Sequence, residues 1–151
     1  MNEDIRKQSL GKLQRLFSTL QPPPDDMRKG RYRGAFIGPW WVRSTAPSFV
    51  AMTGLPGWQG KKFLNPDLAV NVISKGGVVT EGPKMRWIRC VSQLDGKPGV
   101  ALRYEADAPL PWRWITDELR LVDARTILGM SVADVPGLRA IGFPFLLVRE
   151  A

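Results

Sequence analysis

The run Ile115-Thr116-Asp117-Glu118-Leu119-Arg120 sets two carboxylates side by side in a largely apolar stretch. On an extended strand, neighbours face opposite ways. Whichever face is buried, one acid goes inside: Asp117 with Ile115, Leu119 and Leu121, or Glu118 with Trp114 and Arg120. An enclosed carboxylate with a raised pKa can move a proton near neutral pH. Asp117 or Glu118 is therefore the candidate acid or base of a cofactor-free isomerase, cyclase or hydratase. Lys61, Lys62, Arg103, Tyr104 and Arg120 suit another task, holding the polar end of an apolar ligand, because pockets join apolar walls to a few placed polar groups. Lys61 and Lys62 point to opposite faces of one strand, so one of them can face inward. The bland alternative is a salt-bridge cluster in a filled interior.

Several chemistries are excluded outright. The chain has no histidine and a single cysteine, Cys90, which removes Ser-His-Asp and Cys-His nucleophilic sites, zinc fingers and zinc hydrolases. One cysteine makes no internal disulfide, so the fold needs no oxidising compartment, and Cys90 reads as a small buried hydrophobe. The opening residues MNEDIRKQSLGKL carry no apolar run behind a basic start, and no window approaches a membrane span. A cytoplasmic location is the expectation. Segment 54–62 has the glycines and lysines of a phosphate loop, but Pro56 lies within it and no Ser or Thr follows Lys62. No cofactor and no metal are expected.

Lys and Arg number 22 against 14 Asp and Glu, a net charge of +8, and the excess lies in the first two thirds of the chain. Arg86-Trp87-Ile88-Arg89 and Trp112-Arg113-Trp114 interleave aromatics with cations, as nucleic-acid binders do. Half-buried strands alternate in the same way, and that reading is preferred. Nucleic-acid binding through a basic outer face is kept as a further alternative.

The elements that position these residues follow from patterning. At 151 residues, the chain is one domain able to bury roughly 70% of its extended surface. Ile5, Leu10, Leu13, Leu16, Phe17 and Leu20 fall near helical spacing. Asn2 or Asp4 is placed to cap this helix, and Pro22-Pro23-Pro24 stops it, so 1–24 is a helix and Pro-rich linker that covers a core or plugs a barrel. Beyond it, 15 Gly and 13 Pro, well above a typical combined share of about 12%, punctuate short alternating runs. These predict strands at 30–41, 57–64, 68–74, 84–94, 100–106, 112–122, 126–132 and 142–149. A short helix at 46–53 interrupts them, with Pro47 in its first turn. About eight antiparallel up-and-down strands over 30–150 predict a mainly β, closed barrel. Trp40, Trp41, Trp58, Trp87, Trp112 and Trp114 all fall in these strands or at their ends, and Met52, Met85 and Met130 would make the interior adaptable.

Gly30-Arg31-Tyr32-Arg33-Gly34 resembles the opening signature of the GXWXG-domain family, with Tyr where the family has Trp. Gly57-Trp58-Gln59-Gly60-Lys61-Lys62-Phe63 is similar to that family's Trp-X-Gly-Lys-X-Phe strand. The segments Ile115–Arg120, Thr126–Met130 and Phe145–Arg149 resemble the domain of unknown function that usually follows it. The resemblance covers most of residues 10–150 and implies a lipocalin-like (calycin) barrel with no established activity. In such a barrel the aromatic at Tyr32 would plug one end beneath the leading helix.

These readings converge on non-enzymatic binding of a small, largely apolar molecule: fatty-acid-, isoprenoid- or aromatic-like, with Lys or Arg holding an anionic end. The ligand-lining residues expected are Trp40, Trp58, Lys61, Lys62, Phe63, Trp87, Arg103, Tyr104, Trp114, Asp117 and Arg120.

Overall fold

Eight strands follow one another around a closed antiparallel barrel: β1 (Gly30–Phe36), β2 (Trp58–Asn65), β3 (Leu68–Lys75), β4 (Val78–Val91), β5 (Pro98–Tyr104), β6 (Ile115–Asp123), β7 (Thr126–Ala133) and β8 (Phe143–Arg149). This is a computed structural model that describes residues 4–52 and 55–150. Each strand pairs with the next in sequence, and β8 returns to β1, where Gly34 lies opposite Leu147. The architecture is the up-and-down, lipocalin-like (calycin) barrel expected. Two short helices precede it, α1 (Asp4–Lys7) and α2 (Leu10–Thr19), and α3 (Trp40–Met52) is inserted between β1 and β2.

Alternation sends one set of side chains into the lumen. Tyr32, Phe63, Met85, Leu102, Leu119, Ile127, Phe145 and Leu147 form a continuous buried cluster there. The opposite face of β7 and β8 is buried too. Leu128, Met130 and Leu146 pack outside the barrel against Leu13 and Phe17 of α2 and against Ile5 of α1. Burying two side chains the size of Leu13 and Phe17 contributes about 1.5–3 kcal/mol each, which holds α2 to the wall.

The leading helix therefore covers the outer wall and does not plug the barrel. Tyr32 is fully buried, but its hydroxyl donates to the Met27 carbonyl at 2.7 Å, and the 3-10 turn Asp25–Met27 closes that end. The leading helix is also two helices. Ser9 adopts extended backbone and accepts from the Lys12 N–H, so it caps α2 afresh. Asn2, expected as a cap, lies outside the described residues.

Other boundaries move for identifiable reasons. The first strand ends at Phe36 rather than near residue 41, because Gly38 has φ 115° and the Pro39 carbonyl accepts from Val42 and Arg43 to start α3. Pro47 sits in the body of α3 rather than its first turn, removing one intrahelical hydrogen bond; Thr53, the expected last residue, lies outside the described residues. The fourth strand begins at Val78 rather than 84: it pairs Val78 with Lys75 and Val79 with Ser74 before passing through Gly82-Pro83, a dipeptide that more often marks a turn. Trp112–Trp114 is a 3-10 turn ahead of β6, not its first residues.

Candidate functional site

A bulge in β2 determines which lysine enters the barrel. Trp58 lies opposite Ile73, yet Gly60 lies opposite Val72, so one extra residue is accommodated between them. Without it, Trp58 and Lys61, three apart, would face opposite ways. With it, both face the lumen, and Lys62 turns out to pair with Glu81 on the surface at 3.2 Å. Gly60 makes the bulge possible. Its φ is 147°, and a Cβ there would collide with the Tyr32 carbonyl oxygen.

Inside, five strands each contribute one polar side chain. Lys61 of β2 donates to Asp117 of β6 at 2.9 Å and to the Asn71 amide oxygen of β3 at 2.9 Å, and it meets the Met85 sulfur at 3.3 Å. Asn71 donates to the Tyr104 hydroxyl of β5 at 2.8 Å and accepts from the Trp58 indole at 3.1 Å. Ser131 of β7 donates to the other Asp117 oxygen at 2.7 Å. The Leu119 face of β6 is therefore the inner one, and Asp117 is its enclosed acid.

An unsealed cavity of about 40 Å³ adjoins this cluster, with Phe36, Val50, Leu55, Trp58, Trp112 and Phe145 as its apolar walls. Two glycines make room for the wall rings. A Cβ at Gly34 would fall within the Trp58 indole, and one at Gly129 within the Phe145 ring. Trp58 and Phe145 meet edge to face, with centroids 5.9 Å apart. The Lys61 ammonium lies 5.6 Å from the Phe145 centroid and 5.7 Å from that of Tyr104, within cation–π range.

Burial alone would favour the neutral amine of Lys61. The charge of Asp117, the nearby Tyr104 and hydrogen bonds to both outweigh it, and the Lys61 pKa is raised above the ordinary lysine value. Burial pushes the Tyr104 phenol up as well, against the opposing pull of Lys61. At neutral pH Lys61 is therefore an ammonium and Tyr104 a protonated phenol.

Of the eleven residues expected to line a ligand site, Trp58, Lys61, Tyr104 and Asp117 come together at this cavity. Phe63 and Trp87 face the lumen deeper in, where their rings meet edge to face. Five do not join them. Trp40 is 70% exposed on α3, because the chain there is helical. Trp114 is exposed in the turn before β6. Lys62 points outward beyond the bulge, and Arg103 lies on the exposed face of β5. Arg120 is buried, but outside the barrel, where it pairs with Asp95 at 3.1 Å, donates to the carbonyls of Phe17 in α2 and of Leu20, the residue that caps its C-terminus, and stacks on Phe17. Glu118 shares that outer face and accepts from the Gln93 N–H. Among the other aromatics and methionines, Trp41 and Met52 are exposed on α3 and Met130 lies under α2, so Met85 alone of the three methionines meets the polar cluster. Cys90 is half-buried.

Asn71, Ser131, Phe36 and Phe145 were not anticipated at the site. A signal was present for Asn71, an amide set between Val70 and Val72 in an otherwise apolar strand. Ser131 was visible only as the polar residue in Thr126–Ala133 sharing a face with Ile127 and Gly129. Among the described residues, no three His, Cys, Asp or Glu side chains gather as metal ligands, and no helix is long and apolar enough to cross a membrane.

The fold and the cavity together define a closed lipocalin-like barrel with a polar cluster at the head of an apolar recess. No family model matches the chain, and no curated protein matches it. Among solved structures, a protein from Thermomonospora curvata has the same fold, with a TM-score of 0.71 at 21% identity over 96% of this chain and 90% of that chain.

Proposed function

We propose that the barrel binds a small, largely apolar molecule without chemical turnover. The apolar part would lie between Trp58, Phe36 and Phe145, and one polar atom would reach the Tyr104–Lys61–Asn71 cluster. The observation that carries this reading is the cavity itself, in which apolar walls and a polar cluster line a single recess.

Charge and size narrow the ligand. Lys61 is already matched by Asp117, so a carboxylate head would bring a second anion beside Asp117 in a poorly solvated site. A neutral acceptor such as a ketone or amide is favoured, with the Tyr104 hydroxyl as its donor, since Lys61 already donates to Asp117 and Asn71 and meets the Met85 sulfur. The cavity of about 40 Å³ is smaller than the ~150 Å³ apolar cavity known to take up benzene. Lining side chains must shift for a ring to enter, and fatty-acyl or isoprenoid tails would require a larger rearrangement. The ring-sized end of the expected ligand range is therefore preferred. Proton transfer by Asp117 is disfavoured because Lys61 and Ser131 occupy both of its oxygens.

The test is a melting-temperature and Trp-emission screen with acetophenone, cyclohexanone, indole, octanoate and geraniol. A rise in melting temperature with the neutral ring compounds, exceeding that with octanoate, supports the reading. No response from any of the five overturns it.

A further inference from the structure

In an up-and-down barrel, alternate connections gather at opposite ends. The β1–β2 connection carrying α3, and the β3–β4, β5–β6 and β7–β8 connections, share one end. Every exposed large apolar side chain among the described residues belongs to that end, apart from Leu64 and Val91. Trp40, Trp41 and Phe49 come from α3, Val78 from the β3–β4 hairpin, Trp114 from the turn before β6, and Phe143 from the start of β8. The opposite end presents Asn65, Asp67, Asp123 and Arg125, all exposed. The recess lies at the apolar end, since Phe36, Val50, Trp58 and Trp112 all come from it.

We infer that this end docks on an anionic lipid bilayer. Apolar patches of this kind mark interaction sites, and two features select the occupant. The aromatics are those that settle at the water–hydrocarbon boundary, with apolar rings and, in Trp, one polar N–H. Exposed Lys75 and Arg113 and half-buried Arg43 belong to this end against exposed Asp107, while Arg139 is paired with Asp134 and Arg86 with Glu105, so cations remain in excess there. With a chain net charge of +8, a second copy presenting the same cations would be repelled, whereas anionic headgroups attract them. Docked in this way, the barrel turns the mouth of its recess to the phase in which apolar molecules dissolve. The rim and its charges carry the inference, which does not depend on what the lumen holds.

The test is co-sedimentation of the intact protein with vesicles of phosphatidylcholine alone and with added phosphatidylglycerol, over a range of salt. Binding is expected to the anionic vesicles, with a blue shift in Trp emission and weakening by salt. The double variant Trp40→Ala/Trp114→Ala, checked for an unchanged melting temperature, should bind about tenfold more weakly. Leu64→Ala at the opposite end and Tyr104→Phe in the lumen should bind as wild type does. Failure to bind anionic vesicles at low salt, equal binding to neutral ones, undiminished binding by the double variant, or a concentration-dependent dimer that those substitutions dissolve would overturn the inference. None of these results would bear on ligand binding in the lumen.

Discussion

Lys61 and Asp117 form a 2.9 Å ion pair across the barrel, from β2 to β6, four strands apart in either direction around the closed wall. Both side chains are about 3% exposed. The pair spans the lumen and ties opposite walls together where the recess ends.

Breaking that pair on one side leaves an uncompensated buried charge. Lys61→Met should destabilise the fold by about 3–5 kcal/mol, and Lys61→Met/Asp117→Leu should recover most of the loss. Urea unfolding of the two variants checks this. A double variant no more stable than Lys61→Met would show that the pair is not the source of the cost.

Gly34 and Gly129 are required by the rings lying on them. Gly34→Ala should displace the Trp58 indole and cost about 1–3 kcal/mol, as overpacking does. Trp emission and urea unfolding read both effects, and Trp58→Ala in the same chain should relieve part of the cost.

Stability should fall at both pH extremes, through different pairs. The Lys61 pKa is raised, so its contribution is complete below the ordinary lysine value of about 10.4 and is lost as pH climbs through the higher folded value. Asp95 behaves in the opposite sense. Burial would raise its pKa, but hydrogen bonds from Arg120 and the Lys97 N–H outweigh that and hold it low. Its contribution is complete above about 3.9 and is lost as pH drops through the folded value. Unfolding free energy measured against pH should show a shallower acid limb in Asp95→Asn and a shallower alkaline limb in Lys61→Met/Asp117→Leu.

Arg120 fastens α2 to the wall through the Phe17 and Leu20 carbonyls and Asp95. Arg120→Lys keeps the charge and loses the planar fork. Hydrogen exchange should quicken across Leu10–Thr19 while protection within β3 and β6 is retained. Uniform loss of protection in all three would show that α2 does not separate from the barrel.

Much of the barrel was legible because period-two alternation is imposed by a half-buried strand, as in Val100–Tyr104 and Ile115–Leu121. Trp40-Trp41-Val42 carries the same β-like composition yet folds as helix, since Gly38 and Pro39 end the strand first. The site was half legible. Asp117 and Glu118 could not be separated by patterning, because β6 is buried on both faces, by the lumen and by α2 with the loop at Gln93. Lys61 and Lys62 could not be separated either, since the bulge at Gly60 shifts the phase of the strand. Asn71 and Ser131 escaped notice because a single polar residue in a strand is ordinary, and only closure of the barrel brings them to one cavity.

Ligand affinity at the recess can be read directly by titrating acetophenone into wild type, Tyr104→Phe and the outward-facing control Arg103→Ala, with heat as the signal. Loss of one hydrogen bond, about 1–1.5 kcal/mol, predicts binding roughly tenfold weaker in Tyr104→Phe and unchanged in Arg103→Ala. Equal affinity in Tyr104→Phe and wild type, or no heat of binding to wild type, would contradict a ligand held at the Lys61–Tyr104 cluster.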